Sequence, residues 1–132
     1  MSAEEPTTEH RLRVYVADTD LGGVAHHSCW LRWYEQGRSE WLRERGLAPA
    51  ACIAEGAAFV VVSAELSWRR PLRLDDEVLV ATRLAEAGPA SAVFDQQMRR
   101  GGESCGTAVI KVACVDAATL RPRRLPAALQ RP

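Results

Sequence analysis

A chain of 132 residues with 17 basic and 17 acidic side chains and 47% hydrophobic residues has the profile of one globular domain. At that length a fold can bury roughly two-thirds of the surface of its unfolded chain, so a core requires neither disulfides nor a structural metal. Zero formal net charge, with basic residues scattered along the chain, gives no field for nucleic acid and argues against it as a partner. The longest apolar stretches, such as residues 57–62, fall far short of the ~20 residues a membrane-spanning helix needs, so membrane insertion is not expected. The N-terminal residues are acidic and polar, unlike a secretory signal, and the expected location is cytoplasmic.

Residues 1–10 are rich in Glu, Thr and Pro with nothing to bury and read as a disordered lead-in. Residues 11–17 alternate polar and apolar side chains and predict a first strand, closed by Asp18-Thr19-Asp20 and the Gly22-Gly23 turn. Residues 28–45 form the one strongly helical segment. At 100° per residue, Trp30, Leu31, Trp33, Tyr34, Gly37, Trp41 and Leu42 fall in one half of its circumference, and Arg32, Glu35, Gln36, Ser39, Glu40 and Arg43 in the other. The apolar half is built for burial against a sheet, and Gly37 within it allows close approach. Gly46 stops this helix, and Pro49 opens a short second one ending near Gly56.

Four β-rich runs follow, at 59–68, 77–87, 91–100 and 104–116, separated by Pro71 to Asp76, Gly88-Pro89 and Gly101-Gly102. Strand, long helix, then four strands implies an antiparallel α+β domain whose sheet wraps one central helix. The last dozen residues carry three prolines and read as irregular, with at most a short turn of helix. Cys29, Cys52, Cys105 and Cys114 have none of the paired spacings of zinc sites or redox dithiols, and read as small packing residues.

The informative stretch is Tyr15-Val16-Ala17-Asp18-Thr19-Asp20-Leu21-Gly22-Gly23-Val24-Ala25-His26-His27, running into a helix that carries Trp33-Tyr34-Glu35 and Arg38. It resembles the hotdog-fold acyl-CoA thioesterases of the 4-hydroxybenzoyl-CoA thioesterase family, and within them the short-chain, tol-pal-linked branch. Their signature is an aspartate pair, a Gly-Val or Gly-Ile step, an aromatic or His, and a helix with an aromatic-Glu and a following Arg. The resemblance continues through Trp68-Arg69-Arg70-Pro71 to Asp76 and through Arg121-Pro122 to Leu125-Pro126, covering about residues 11–128 as a single hotdog domain with 129–132 as a tail. One departure is Val16, which stands where relatives often carry a second tyrosine.

The resemblance implies a long central helix wrapped by a curved antiparallel sheet of five or six strands. It also implies hydrolysis of an acyl thioester of coenzyme A or an acyl carrier protein, with no cofactor and no metal. Such chemistry needs a nucleophile at the carbonyl carbon and donors where the carbonyl oxygen becomes negative. By similarity Asp20 is the carboxylate, attacking directly or deprotonating a water, and the backbone N–H of His27 is the oxyanion donor. The His27 ring would help orient carboxylate or substrate, with Tyr15, Gly23, Val24 and His26 bordering the substrate. Asp18 reads as a turn or capping residue. Glu35 and Arg38 are either a plain i,i+3 pair or a contact to a neighbouring subunit. Arg69, Arg70, Arg121, Arg123 and Arg124 either meet coenzyme A phosphates or form a solvated surface. Hotdog domains pair edge to edge, so a homodimer or homotetramer is expected. The alternatives are a polyketide-type thioesterase acting on a carrier protein and a catalytically silent thioester-binding or oligomerisation module.

Overall fold

The computed structural model describes residues 7–130. The alternating β-rich stretches form five strands, β1 Thr7–Arg13, β2 Ala57–Trp68, β3 Glu77–Ala87, β4 Ser91–Arg100 and β5 Glu103–Asp116. They build one antiparallel sheet in the order β1-β3-β4-β5-β2. The hairpin between β4 and β5 turns at Gly101 and Gly102, whose φ angles of 58° and 84° are open to glycine without strain. Register shifts at Val61/Ser63, Leu84/Glu86 and Met98/Arg99 bend the strands so that the sheet curls around a helix. That helix is α1, His27–Arg43; a short α2, Pro49–Ala54, follows it. This is the expected α+β hotdog arrangement, with five strands.

Strand periodicity sends Val78, Val80, Thr82 and Leu84 of β3, and Ala92, Phe94, Gln96 and Met98 of β4, to the buried face. Against it α1 lays Trp30, Trp33, Tyr34, Gly37 and Trp41. Trp41 meets Phe94 edge to face at 5.2 Å between centroids. A Cβ on Gly37 would stand 2.7 Å from both Thr82 Oγ1 and Val80 Cγ1, so the helix reaches its depth on the sheet only because position 37 has no side chain. Gln96 fastens this contact, donating to the Tyr34 carbonyl and to Thr82 Oγ1, both at 2.8 Å.

Several boundaries differ from the sequence reading. Of the lead-in, residues 1–6 lie outside the described residues, while residues 7–10 are not disordered but open β1, pairing with β3 from Thr7↔Arg83 onward. The helix supplies polar partners there, with Thr8 Oγ1 donating to Glu44 Oε1 at 2.8 Å and His10 Nε2 sharing a hydrogen bond with Gln36 Oε1 at 3.0 Å. The strand ends at Arg13 instead of residue 17, because the Asp18 carboxylate accepts the Tyr15 N–H and draws residues Val16–Asp18 into a 3-10 turn. Leu31, assigned to the apolar face, is half exposed, whereas Arg38 is buried. The proline-rich end is irregular apart from one 3-10 turn at Ala127–Leu129, yet Leu125 and Leu129 are core residues, so residue 129 belongs to the domain and not to a tail. All four cysteines are buried and unpaired.

One sheet edge is β2, which pairs with β5 alone and exposes Val60, Val61, Val62 and Trp68. A twelve-residue edge strand whose outer side is unpaired among the described residues is an open template for another strand. The close helix contact is testable within one chain: Gly37→Ala is expected to cost about 1–3 kcal/mol through overpacking against Val80 and Thr82, read as a lower urea midpoint at unchanged m-value.

Candidate active site

The loop between the 3-10 turn and α1 is folded by its own polar groups. Gly23 N–H donates to the Asp20 carbonyl at 3.1 Å and Asp20 N–H to the Val24 carbonyl at 3.0 Å, closing a tight turn. Gly23 has φ 77°, which the turn demands of a residue without Cβ. Asp20 Oδ1 accepts the N–H groups of Gly22 at 2.8 Å and Val24 at 3.2 Å. Those two donors hold the Asp20 carboxyl below the usual carboxylate range, with His26 adding a smaller electrostatic pull in the same direction. The side chain is exposed, and Oδ2 accepts no hydrogen bond among the described residues.

Asp18 does different work. Its Oδ2 accepts Tyr15 N–H at 2.9 Å and its Oδ1 meets Arg32 Nη2 of α1 at 2.6 Å. Its main-chain oxygen accepts the His26 N–H at 2.9 Å. The residue thus ties the Asp20 loop to the first turns of α1, in keeping with a turn or capping role. A second tie comes from the β2–β3 connection: Leu74 N–H donates to the Gly23 carbonyl and Ala25 N–H to the Leu72 carbonyl. Val24 forms an isolated antiparallel bridge with Arg73.

His26 is the N-cap of α1 and His27 its first residue. Cys29 N–H is already bonded to the His26 carbonyl, whereas the N–H groups of His27 and Ser28 have no acceptor among the described residues. They therefore point outward with the positive end of the helix dipole behind them. The His27 ring stacks on Trp68 at 4.6 Å between centroids and 25° between planes. Both rings border a cleft of about 240 Å³ that Val24, Trp30, Arg70 and Leu72 also line.

Of the residues singled out from sequence, Val24 and His27 share this cleft, and Gly23 shapes the turn beside it. Asp20, Tyr15 and His26 lie outside its lining: Tyr15 is two-thirds exposed on the outer surface of the turn, and His26 is exposed at the helix cap. Trp68 as a stacking partner of His27 and Arg32 as the partner of Asp18 escaped the sequence reading, because each pair joins elements whose relative placement no spacing encodes. Among the described residues no group of three or more His, Cys, Asp or Glu side chains is placed to hold a metal ion. Asp18→Ala is expected to lower stability by about 1–2 kcal/mol through the lost cap and helix tie, and to speed amide exchange at Tyr15 first.

The family described as "Thioesterase-like superfamily" matches residues 14–132. The chain is 36% identical over 116 residues to the Escherichia coli protein named acyl-CoA thioester hydrolase YbgC, spanning 87% of each. It is 34% identical to the Haemophilus influenzae acyl-CoA thioesterase YbgC, over 87% of this chain and 85% of that one. The crystal structure of "Probable Thioesterase" from Bartonella henselae superposes with a TM-score of 0.86 at 33% identity, covering 92% of this chain and all of the other.

Proposed function

The chain belongs to the thioesterase-like superfamily, and from that membership we propose that it hydrolyses acyl-CoA thioesters, with Asp20 as the working carboxylate and the N-terminus of α1 as the oxyanion site. The observation that carries this reading is the pair of idle N–H groups at His27 and Ser28 beside a cleft, with an ionised carboxylate on the loop that leads into the same helix turn. A thioester carbonyl seated against those N–H groups has its oxygen where negative charge is stabilised as the carbon becomes tetrahedral. Hydrolysis then takes one of two balanced courses. Asp20 Oδ2 adds to the carbonyl carbon and expels the thiolate, leaving a mixed anhydride that water opens to the free acid and the restored carboxylate. Alternatively, Asp20 removes a proton from a water that adds to the carbon, and the proton passes to the departing thiolate. The first course is favoured by the hydrogen bonds from Gly22 and Val24, which weaken Asp20 as a base while leaving Oδ2 free.

The exposed apolar edge of β2 supports a homodimer in which two β2 strands pair into one continuous sheet, placing Trp68 and its cleft at the junction. Tyr15, Gly23, Val24 and His26 would then border the substrate, and the basic pair Arg69 and Arg70 flanks the cleft on the side open to a phosphate-bearing carrier. The chemistry described calls for no metal or cofactor. No helix among the described residues is long and apolar enough to cross a membrane, and a cytoplasmic setting, where acyl-CoA is met, fits this reading.

Thiol release from aliphatic, aromatic and β-keto acyl-CoA thioesters and one acyl-carrier thioester tests the proposal. Asp20→Ala is expected to lose at least about a hundredfold in kcat while folding normally, since its side chain is exposed. Full residual activity would refute the assignment. His27→Ala is expected to be milder than Asp20→Ala, because the backbone donor survives the substitution; an equal loss would point to a working imidazole. The carboxylate is the active form and its pKa is held down by the two backbone N–H groups, so kcat/KM should rise with a midpoint below the ordinary aspartate range and stay level to neutrality. An acid limb centred near 6 to 7 would assign the titrating group to histidine instead.

A further inference from the structure

Arg38 is about nine-tenths buried on α1, yet its guanidinium makes a single hydrogen bond among the described residues, Nη1 to Gln96 Oε1 at 3.1 Å. Among the described residues no carboxylate stands within ion-pairing reach of it. Glu35, one turn earlier, spends an oxygen on the Ser39 hydroxyl and acts on Arg38 only through space. A guanidinium carries five donors in a fixed fork, and withdrawing it from water is costly unless acceptors meet them. The idle N–H groups are not sealed in the core, where the Tyr34 hydroxyl is the only unpartnered polar side-chain atom among the described residues. They open on a groove of about 150 Å³ between α1, α2 and β2, lined with apolar groups from Cys52, Phe59, Val61 and Val112 and rimmed by Glu35 and Ser39. Burial lowers the Arg38 pKa, but an arginine remains a cation at neutral pH.

The groove and the cleft beside His27 lie at opposite ends of β2, the first against Phe59 and Val61, the second against Trp68. Along one helix, residues 27 and 38 are about 16 Å apart at 1.5 Å per residue, too far for a short acyl chain. Two β2 edges paired antiparallel about a two-fold axis run head to tail, so the Phe59 end of one strand comes beside the Trp68 end of its partner. Each groove then extends the reaction cleft of the other protomer.

Resting on the dimeric thioesterase reading above, we infer that this groove receives the acyl chain and that Arg38 recognises a carbonyl or hydroxyl oxygen on that chain, remote from the thioester. A neutral acceptor fits better than a carboxylate, because Glu35 already balances the charge of Arg38 and would repel a second anion. Arg38 is on this view a specificity residue, fixed by Gln96, which is itself held by Tyr34 and Thr82.

The test is hydrolysis of matched CoA thioesters: a plain alkanoyl chain, the same length with a distal ketone, and the same length ending in a carboxylate. Wild-type protein is expected to favour the ketone over the alkanoyl member by roughly tenfold or more in kcat/KM, expressed mainly in KM. Arg38→Met should bring that preference to within about twofold while plain alkanoyl hydrolysis persists, and Arg38→Lys should restore part of it. Glu35→Gln should raise use of the carboxylate member relative to the alkanoyl one. Equal use of ketone and alkanoyl chains by wild type, or an Arg38→Met variant that keeps the preference, would overturn the inference. If Arg38→Met fails to fold, the wild-type preference and the Glu35→Gln response decide, and absence of either overturns it. Hydrolysis of no member at all would instead overturn the thioesterase reading, and the inference with it.

Discussion

The missing side chain at Gly37 sets the distance between α1 and the sheet, and the two regions of the helix proposed to meet substrate depend on that distance. With Val80, Thr82 and Gln96 packed directly beneath it, the helix backbone is close enough for Gln96 to bond the Tyr34 carbonyl. From this seat the first turn stacks His27 on Trp68 of β2, and Arg38 is carried down into the groove next to Gln96. A helix lifted by one methyl group would loosen the floor under both. Interiors this tightly packed move by discrete rearrangement rather than by smooth yielding.

The loop that carries Asp20 is organised by a separate set of contacts. Asp18 ties it to the 3-10 turn and to Arg32, while Leu72 and Leu74 tie it to the β2–β3 connection. Of the Asp20 carboxylate, only Oδ1 takes part in the turn. Two neighbouring carboxylates therefore have distinct environments. One is largely enclosed and satisfied by a cation and an N–H, and the other is exposed with an oxygen to spare. Position within one short loop thus gives two like side chains different surroundings.

Much of this was legible in the residues. The period-two alternation of β3 and β4 located those strands to the residue, since each is half buried and flanked by glycine or proline. The tryptophans at helical spacing marked the buried face of α1, and the order of strand, helix and four strands pointed to the wrapped-helix architecture. The errors share a cause. Residues 7–10 lack apolar content but gain strand structure from the ladder with β3, and residues 14–17 alternate like a strand but are bent by the Asp18 carboxylate. Arg38 reads with Glu35 as a plain i,i+3 pair or a contact to a neighbouring subunit, yet it is buried and hydrogen-bonded to Gln96.

The sequence by itself determined the element types, the buried helix face and the loop that precedes α1, because periodicity and turn chemistry are local properties of the chain. The spacing of Asp20, the glycine pair and the histidines also placed a carboxylate a few residues ahead of a helix start. Only the tertiary structure decided that His27 stacks on Trp68, that Arg32 closes on Asp18, and that Arg38 opens on a groove at the far end of β2. Those pairings join residues from 14 to 58 positions apart, and their contact depends on the depth of a helix on a curved sheet, which no local pattern specifies.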